Sequence, residues 1–298
     1  MKMPRQGLHR MIPFRTPFLT WIALRAARQR QPLWLVQGWR SGLSIPAIEN
    51  FRRAARERRH LQTRFSGKLI KTEKNMHTLT LQAVEAVTHD VNRYVFDKPA
   101  DLTYTPGQAI DLALDREGWR DDGHPFTPTS LPQEGNLEFT IKTYPEHDGM
   151  TKRLATLKPG DTVLADEPWG AIQDEGKGWF IAGGAGVTPF IAILRERLEK
   201  NGTLDGCELI FSNKTEDDII HRKMFEDMPG LTTYFTVSHQ SDTDLPKGMI
   251  DKDLLARRIE PGKGKCYICG PDAMLDDISA ALLEIGVPED DIITEEFD

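Results

Sequence analysis

The run WFIAGGAGVTPFIAILRERLE, from Trp179 to Glu199, constrains the fold more than any other stretch. It places an apolar strand, a glycine-rich turn and an amphipathic helix in immediate succession. Such a turn is a phosphate cradle. Gly183, Gly184 and Gly186 permit positive φ and close backbone approach. Thr188 is placed to cap the helix, and Pro189 occupies a first-turn position where a missing N–H costs nothing. The helix then turns unpaired N–H groups and the positive end of its dipole toward whatever lies over the glycines, and Gly184, Ala185, Gly186, Val187 and Thr188 suit a pyrophosphate. Phe190, Ile193, Leu194 and Leu198 recur at helical spacing, so one face packs on a sheet. The dinucleotide fingerprint G-x-G-x-x-G would put its third glycine at Pro189, so this is not the dehydrogenase version. On this stretch alone, an ordinary strand-to-helix turn remains an open reading.

Near the C-terminus, KCYICGPDAMLDDISAALLEIGVPEDDI repeats the logic. A strand from Cys266 to Cys269 runs into a Gly270–Pro271 break and then a helix with Met274, Ile278, Ala281, Leu282 and Ile285 on one face, ended by Gly286 and Pro288. Upstream, HPFTPTSLP precedes the strand LEFTIKTY. From Met76 to about Ile172, short β-rich runs alternate with turns such as Pro106–Gly107 and Pro159–Gly160, which predicts a small antiparallel Greek-key barrel. Its one helical signal starts at Gly149. From about Gly178 strands and helices alternate, as in a parallel-sheet α/β domain. The change of period puts a boundary between Gln173 and Lys177, giving an extension over 1–75, a barrel over 76–175 and an α/β domain over 176–298.

Charge divides the chain more sharply than the formal net charge of −7 suggests. Residues 1–70 hold 15 Lys and Arg against two acids, whereas the remainder holds 23 bases and 43 acids. The basic piece has three readings: an organellar transit peptide, a peripheral contact with an anionic membrane, or a start-site error with Met76 as the true start. The third is favoured, with a cytoplasmic location. No apolar run reaches the ~18 to 20 residues that cross a bilayer, and no nucleic-acid partner is expected. Cys266 and Cys269 form C-x-x-C, but on a strand positions i and i+3 face opposite sides, and with only Cys207 left a four-cysteine cluster is impossible. Cys266 reads as a buried apolar residue. The eight histidines show no ligand spacing, so no metal site is expected.

Taken in order, the three segments resemble the ferredoxin-NADP reductase superfamily, whose motifs are R-x-Y-[ST], a glycine-rich turn and C-G-P. The resemblance covers about Met76 to Phe297. It implies a flavin, FAD rather than FMN, held between barrel and α/β domain, and a nicotinamide nucleotide entering from the α/β side. Phe126 and Thr127 match the flavin motif, with Thr127 toward the reactive edge of the ring. Ile141, Lys142 and Thr143 match the strand whose backbone reads the flavin, and Gly149, Met150 and Thr151 the turn that receives its phosphates. His124 stands where that motif has arginine, and lacks the bidentate fork and fixed charge. Cys269, Gly270 and Pro271 would lie at the nicotinamide ring. Ser212 and Lys214, with Arg222 and Lys223, would face the adenosine ribose; these bases favour NADPH, Asp217 and Asp218 oppose it, and NADH stays open. Phe297 matches an aromatic that covers the flavin, and Glu296 a carboxylate that assists electron exchange.

The expected function is therefore a flavin-dependent NAD(P)H oxidoreductase that passes electrons to a separate acceptor. That acceptor is a small redox protein such as ferredoxin or flavodoxin, or a small molecule. The competing class is a relay or regulatory subunit that binds flavin and nucleotide for a larger complex. Thr127, Cys269 and Glu296 are the residues expected nearest the chemistry.

Overall fold

Six antiparallel strands form the first half of the fold: β1 (His77–Ala86), β2 (Val91–Asp97), β3 (Ile110–Leu114), β4 (His124–Phe126), β5 (Asn136–Lys142) and β6 (Thr162–Ala165). The computed structural model describes residues 76–170 and 172–294. The strand order is β4-β3-β6-β1-β2-β5, and a bridge from Pro128 to Phe139 brings the chain after β4 back to β5, so the sheet curls into a nearly closed barrel. Closure follows from the alternation in the sequence. Leu79 and Leu81 of β1, Tyr94 and Phe96 of β2, and Leu137, Phe139 and Ile141 of β5 all point inward and are buried. A register shift between Leu81 and Ala83 bends β1 where the sheet must turn. The short helix α1 (Met150–Leu154) buries Met150 and Leu154 in the same core.

The second half is a parallel sheet of β7 (Gly178–Gly183), β8 (Cys207–Asn213), β9 (Leu231–Val237), β10 (Lys265–Cys269) and β11 (Ile292–Thr294), in the order β11-β10-β7-β8-β9. Helix α2 (Thr188–Asn201) packs on one face against Phe180, Phe211 and Tyr267. On the other face lie α4 (Lys252–Arg258) and α5 (Asp272–Glu284), over Ile181 and Ile268, while the short α3 (Arg222–Glu226) puts Phe225 into the α2-side core. The chain leaves β7 toward β8 on one side, and β10 later lies on the other. The ends of β7 and β10 therefore flank the crevice where the strand order reverses, the usual ligand position in such sheets.

The connection between the sheets is pinned. The Tyr267 hydroxyl donates to the Gly176 carbonyl at 2.8 Å and accepts from the Glu175 amide at 2.9 Å, while Arg197 on α2 pairs with Asp174 at 2.8 Å. Tyr267 also stacks on Phe180, ring centroids 4.4 Å apart. Among the described residues, no helix is long and apolar enough to cross a membrane. The basic segment 1–75 lies outside them.

Candidate active site between the barrel and the parallel sheet

A cleft of about 390 Å³ opens between the two halves. One wall is barrel: Phe126 and Thr127 at the end of β4, Thr140, Ile141 and Lys142 at the end of β5, then Tyr144 and Thr151. The other is the C-terminal edge of the parallel sheet: Gly183 at the end of β7 with Ala185, Gly186, Thr188 and Pro189 beyond it, and Cys269 at the end of β10 with Gly270 and Pro271 beyond it. Segments as far apart as Pro125 and Pro271 thus meet in one crevice, and among the described residues Lys142 is the one charged side chain that lines it.

That ammonium is held by carboxylates. Lys142 Nζ lies 2.7 Å from Asp90 Oδ2 and 3.8 Å from Asp218 Oδ1. Burial pushes the Asp90 carboxyl up, but the hydrogen bond and charge of Lys142 outweigh it, so the group ends below the usual carboxylate range. His89, Asp90 and Asp218 come together as a possible cation cluster that sequence spacing does not reveal, yet the Lys142 amine already supplies the positive charge there.

The glycine turn differs from its sequence reading in one respect. Gly184–Val187 form a 3₁₀ turn, and Thr188 is already the first residue of α2, so it does not cap. Its hydroxyl donates back to the Ala185 carbonyl at 3.0 Å instead. Only Gly184 of the three glycines has positive φ, at 53°, and it does not line the cleft. Gly186 is required by packing: a Cβ there would lie 2.3 Å from the Cys269 carbonyl oxygen. The side chain of Val187 is wholly buried in the α2 core and that of Met150 lies in the barrel core, which leaves these two residues only backbone to offer a ligand.

Several other candidates sit outside the cleft lining. His124 is half-exposed, 3.5 Å from Asp122, and Gly149 stands at the start of α1. Thr143 is occupied by the Asp90 carbonyl, to which its amide and hydroxyl donate at 2.7 and 2.9 Å. Ser212 and Lys214 lie at the end of β8, away from the lining. Glu296 and Phe297 fall outside the described residues. Conversely, Pro125, Thr140 and Tyr144 line the cleft without having been singled out from the sequence. Thr140 sits between the inward Phe139 and Ile141, so strand alternation was the signal that could have found it.

The two cysteines face opposite ways. Cys266 is packed among Ile181, Ile268 and Ile278, and burial pushes its thiol up to about 12, which keeps it protonated and unreactive. Cys269 belongs to the α2-side core and reaches the cleft.

Comparison with known proteins decides the family. Residues 78–173 match the family model described as an oxidoreductase FAD-binding domain, and residues 180–280 the one described as an oxidoreductase NAD-binding domain. The chain belongs to the ferredoxin-NADP reductase superfamily. FAD and a nicotinamide nucleotide are its cofactors. The cleft has the size of an ordinary ligand pocket, ~300 to 1,000 Å³, and the close-packed Gly186 turn puts no side chain into it.

Within the superfamily, the chain is 29% identical over 223 residues to NADH-cytochrome b5 reductase 2 of Mycosarcoma maydis, covering 67% of this chain and 63% of that protein. It is 29% identical over 244 residues to human NADH-cytochrome b5 reductase 1, covering 67% and 78%. It therefore spans less than two thirds of the first of these relatives. The CS-b5R domains of human Ncb5or, in the NAD+ form, superpose with TM-score 0.66 at 27% identity, over 76% of this chain and 71% of that one. A ferredoxin NADP+ reductase from Neisseria gonorrhoeae with bound FAD and NADP shares the fold, with TM-score 0.67 at 20% identity over 75% and 99%.

Proposed function

We propose that this protein oxidises NADH through FAD and delivers the electrons to a small haem protein of the cytochrome b5 type. The observation that carries the reading is the convergence of Phe126 and Thr127 with the Cys269–Pro271 segment across one cleft; on this reading the first is the flavin wall and the second the nicotinamide wall. The bound flavin supplies the step between two-electron hydride donation by the nicotinamide and one-electron transfer to two acceptor molecules. The chain's own residues then have limited tasks. Phe126 offers an aromatic face to the ring system and Thr127 a hydroxyl to its reactive edge. Gly186 keeps the turn close to the pyrophosphate, and Cys269 sets how near the nicotinamide ring comes. Pro189 and Pro271 add apolar surface that keeps water out.

The acceptor reading moves from ferredoxin or flavodoxin to a haem protein because the relatives that align over 67% of this chain are NADH-cytochrome b5 reductases. The preference for NADH has support in this chain's own charges. Arg222 is engaged by Glu216 and Glu226, both at 2.8 Å, and Lys223 by Asp227 at 2.8 Å. Of the bases after β8, Lys214 is left to meet a 2′-phosphate. Without a cluster of cations that phosphate has little to gain. The second-order rate with NADH should exceed that with NADPH by roughly tenfold, a difference of about 1.4 kcal/mol. Anaerobic bleaching of the bound flavin by each nucleotide, followed by reoxidation with cytochrome b5 or ferredoxin, tests the whole reading. Colourless protein, or flavin that neither nucleotide bleaches, would overturn it.

A further inference from the structure

Helix α2 begins at the cleft with Thr188 and Pro189 and carries Arg195 two turns later, about 10 Å along the axis. There the guanidinium crosses to the barrel. Arg195 Nη1 donates to the Thr129 carbonyl at 2.9 Å, and Nη2 donates to Glu134 Oε1. The other oxygen of Glu134 accepts the Leu131 amide at 2.7 Å, so the carboxylate closes the turn it belongs to while holding the arginine. One helical turn on, Glu199 accepts from Gln133 at 2.6 Å, a second link to the same loop. The loop is in turn tied to the cleft wall. Thr129 follows Thr127 by two residues, its amide donates to the Glu138 carbonyl at 2.7 Å, and its hydroxyl lies 3.3 Å from that of Thr140, a cleft residue. Arg195 thus connects the helix that starts the nucleotide wall to the loop that continues the flavin wall, without touching the cleft itself.

We propose that Arg195 is a positioning residue that sets the separation of the two walls, and so governs the rate of nicotinamide-to-flavin transfer rather than the affinity for nucleotide. The proposal rests on the functional reading above. Its force comes from the steepness of transfer with distance: the reacting atoms must approach to ~3 to 3.5 Å, and an error near 1 Å costs about a hundredfold. A guanidinium is suited to this task because its rigid planar fork engages two acceptors in a fixed geometry, whereas the donors of an ammonium rotate and fix no direction.

Arg195→Met keeps much of the apolar stem and removes the fork. In the FAD-loaded full chain, the limiting rate of anaerobic reduction by NADH should fall roughly ten- to a hundredfold. The Kd for NADH should stay within about threefold, and the isotope effect with deuterated NADH should rise as transfer becomes the slow step. Reduction of the same flavin by dithionite, which needs no nucleotide wall, should be unchanged. Apart from activity, amide exchange over 129–134 in the flavin-free chain should speed up. Arg195→Lys should lie between parent and Met. If Arg195→Met does not load flavin, Glu134→Gln breaks the clamp from the barrel side and should give the same pattern at smaller amplitude. A variant that loads flavin and matches the parent in limiting rate and isotope effect overturns the proposal alone. A parent whose flavin NADH does not bleach overturns the functional reading and this one with it.

Discussion

Gly186→Val should slow flavin reduction by NADH by roughly a hundredfold or more while leaving the barrel folded. A Cβ on Gly186 would sit 2.3 Å from the carbonyl oxygen of Cys269, 2.5 Å from its carbonyl carbon and 2.6 Å from the Gly270 nitrogen. All three are backbone atoms, so no side-chain rotation relieves the overlap. Either the turn after β7 or the turn after β10 must move, and both line the cleft. Overpacking of this kind costs about 1 to 3 kcal/mol, which the fold can survive and the reaction geometry cannot. Gly184→Ala is the control. A Cβ there meets nothing within 4 Å, and its φ of 53° imposes only backbone strain, about 1 to 2 kcal/mol. Bleaching rates of the two variants side by side decide the matter: a larger loss at Gly184 than at Gly186 would show that close approach of the strands is not what the turn needs.

A large loss of stability is expected at Gly107→Ala. This glycine has φ of 100°, and a Cβ would fall 2.2 Å from the Ile172 carbonyl oxygen and 2.9 Å from Ile193 Cδ1. It is the point at which a barrel turn presses on both the connection between the sheets and helix α2. Strain and overlap act together, and a loss of about 3 kcal/mol or more follows. For a fold of this size that lowers Tm by about 10 °C. Gly118→Ala isolates the strain, since its φ is 81° with nothing near the added carbon. Thermal melts followed by flavin fluorescence should show Gly107→Ala melting well below Gly118→Ala; coincident curves would mean the junction yields to the extra methyl.

The parts legible in the sequence are those whose signal is local. The alternation of β1 and β5 and the helical spacing of Phe190, Ile193 and Leu194 each depend on neighbours a few residues away, and the structure places barrel strands and helix there. The glycine turn was legible as a turn, but the roles within it were not. Which glycine must lack a side chain depends on Cys269, a residue from the far side of the domain that β10 brings alongside β7. That Met150 and Val187 have only backbone to offer was hidden for the same reason, because a motif position does not reveal which way it faces. The bases after β8 look available in sequence and are largely neutralised by Glu216, Glu226 and Asp227 in three dimensions. Arg195 joins residues 61 and 66 positions away, and no local pattern announces such a contact.

The strand order also imposes a schedule on synthesis. Every strand of the barrel lies between His77 and Ala165, so the wall that faces flavin is complete once that stretch has emerged from the ribosome. The nucleotide wall is not. Its first turn follows β7 at Gly183, but the second waits for β10 and the Cys269–Pro271 turn, more than eighty residues later, and β10 must insert beside β7 after β8 and β9 have been made. A nascent chain therefore passes through a period in which it has a place for an electron carrier and none for the donor that charges it. Because domains fold largely as they appear, the barrel can be complete while the parallel sheet still waits for β10 to enter beside β7.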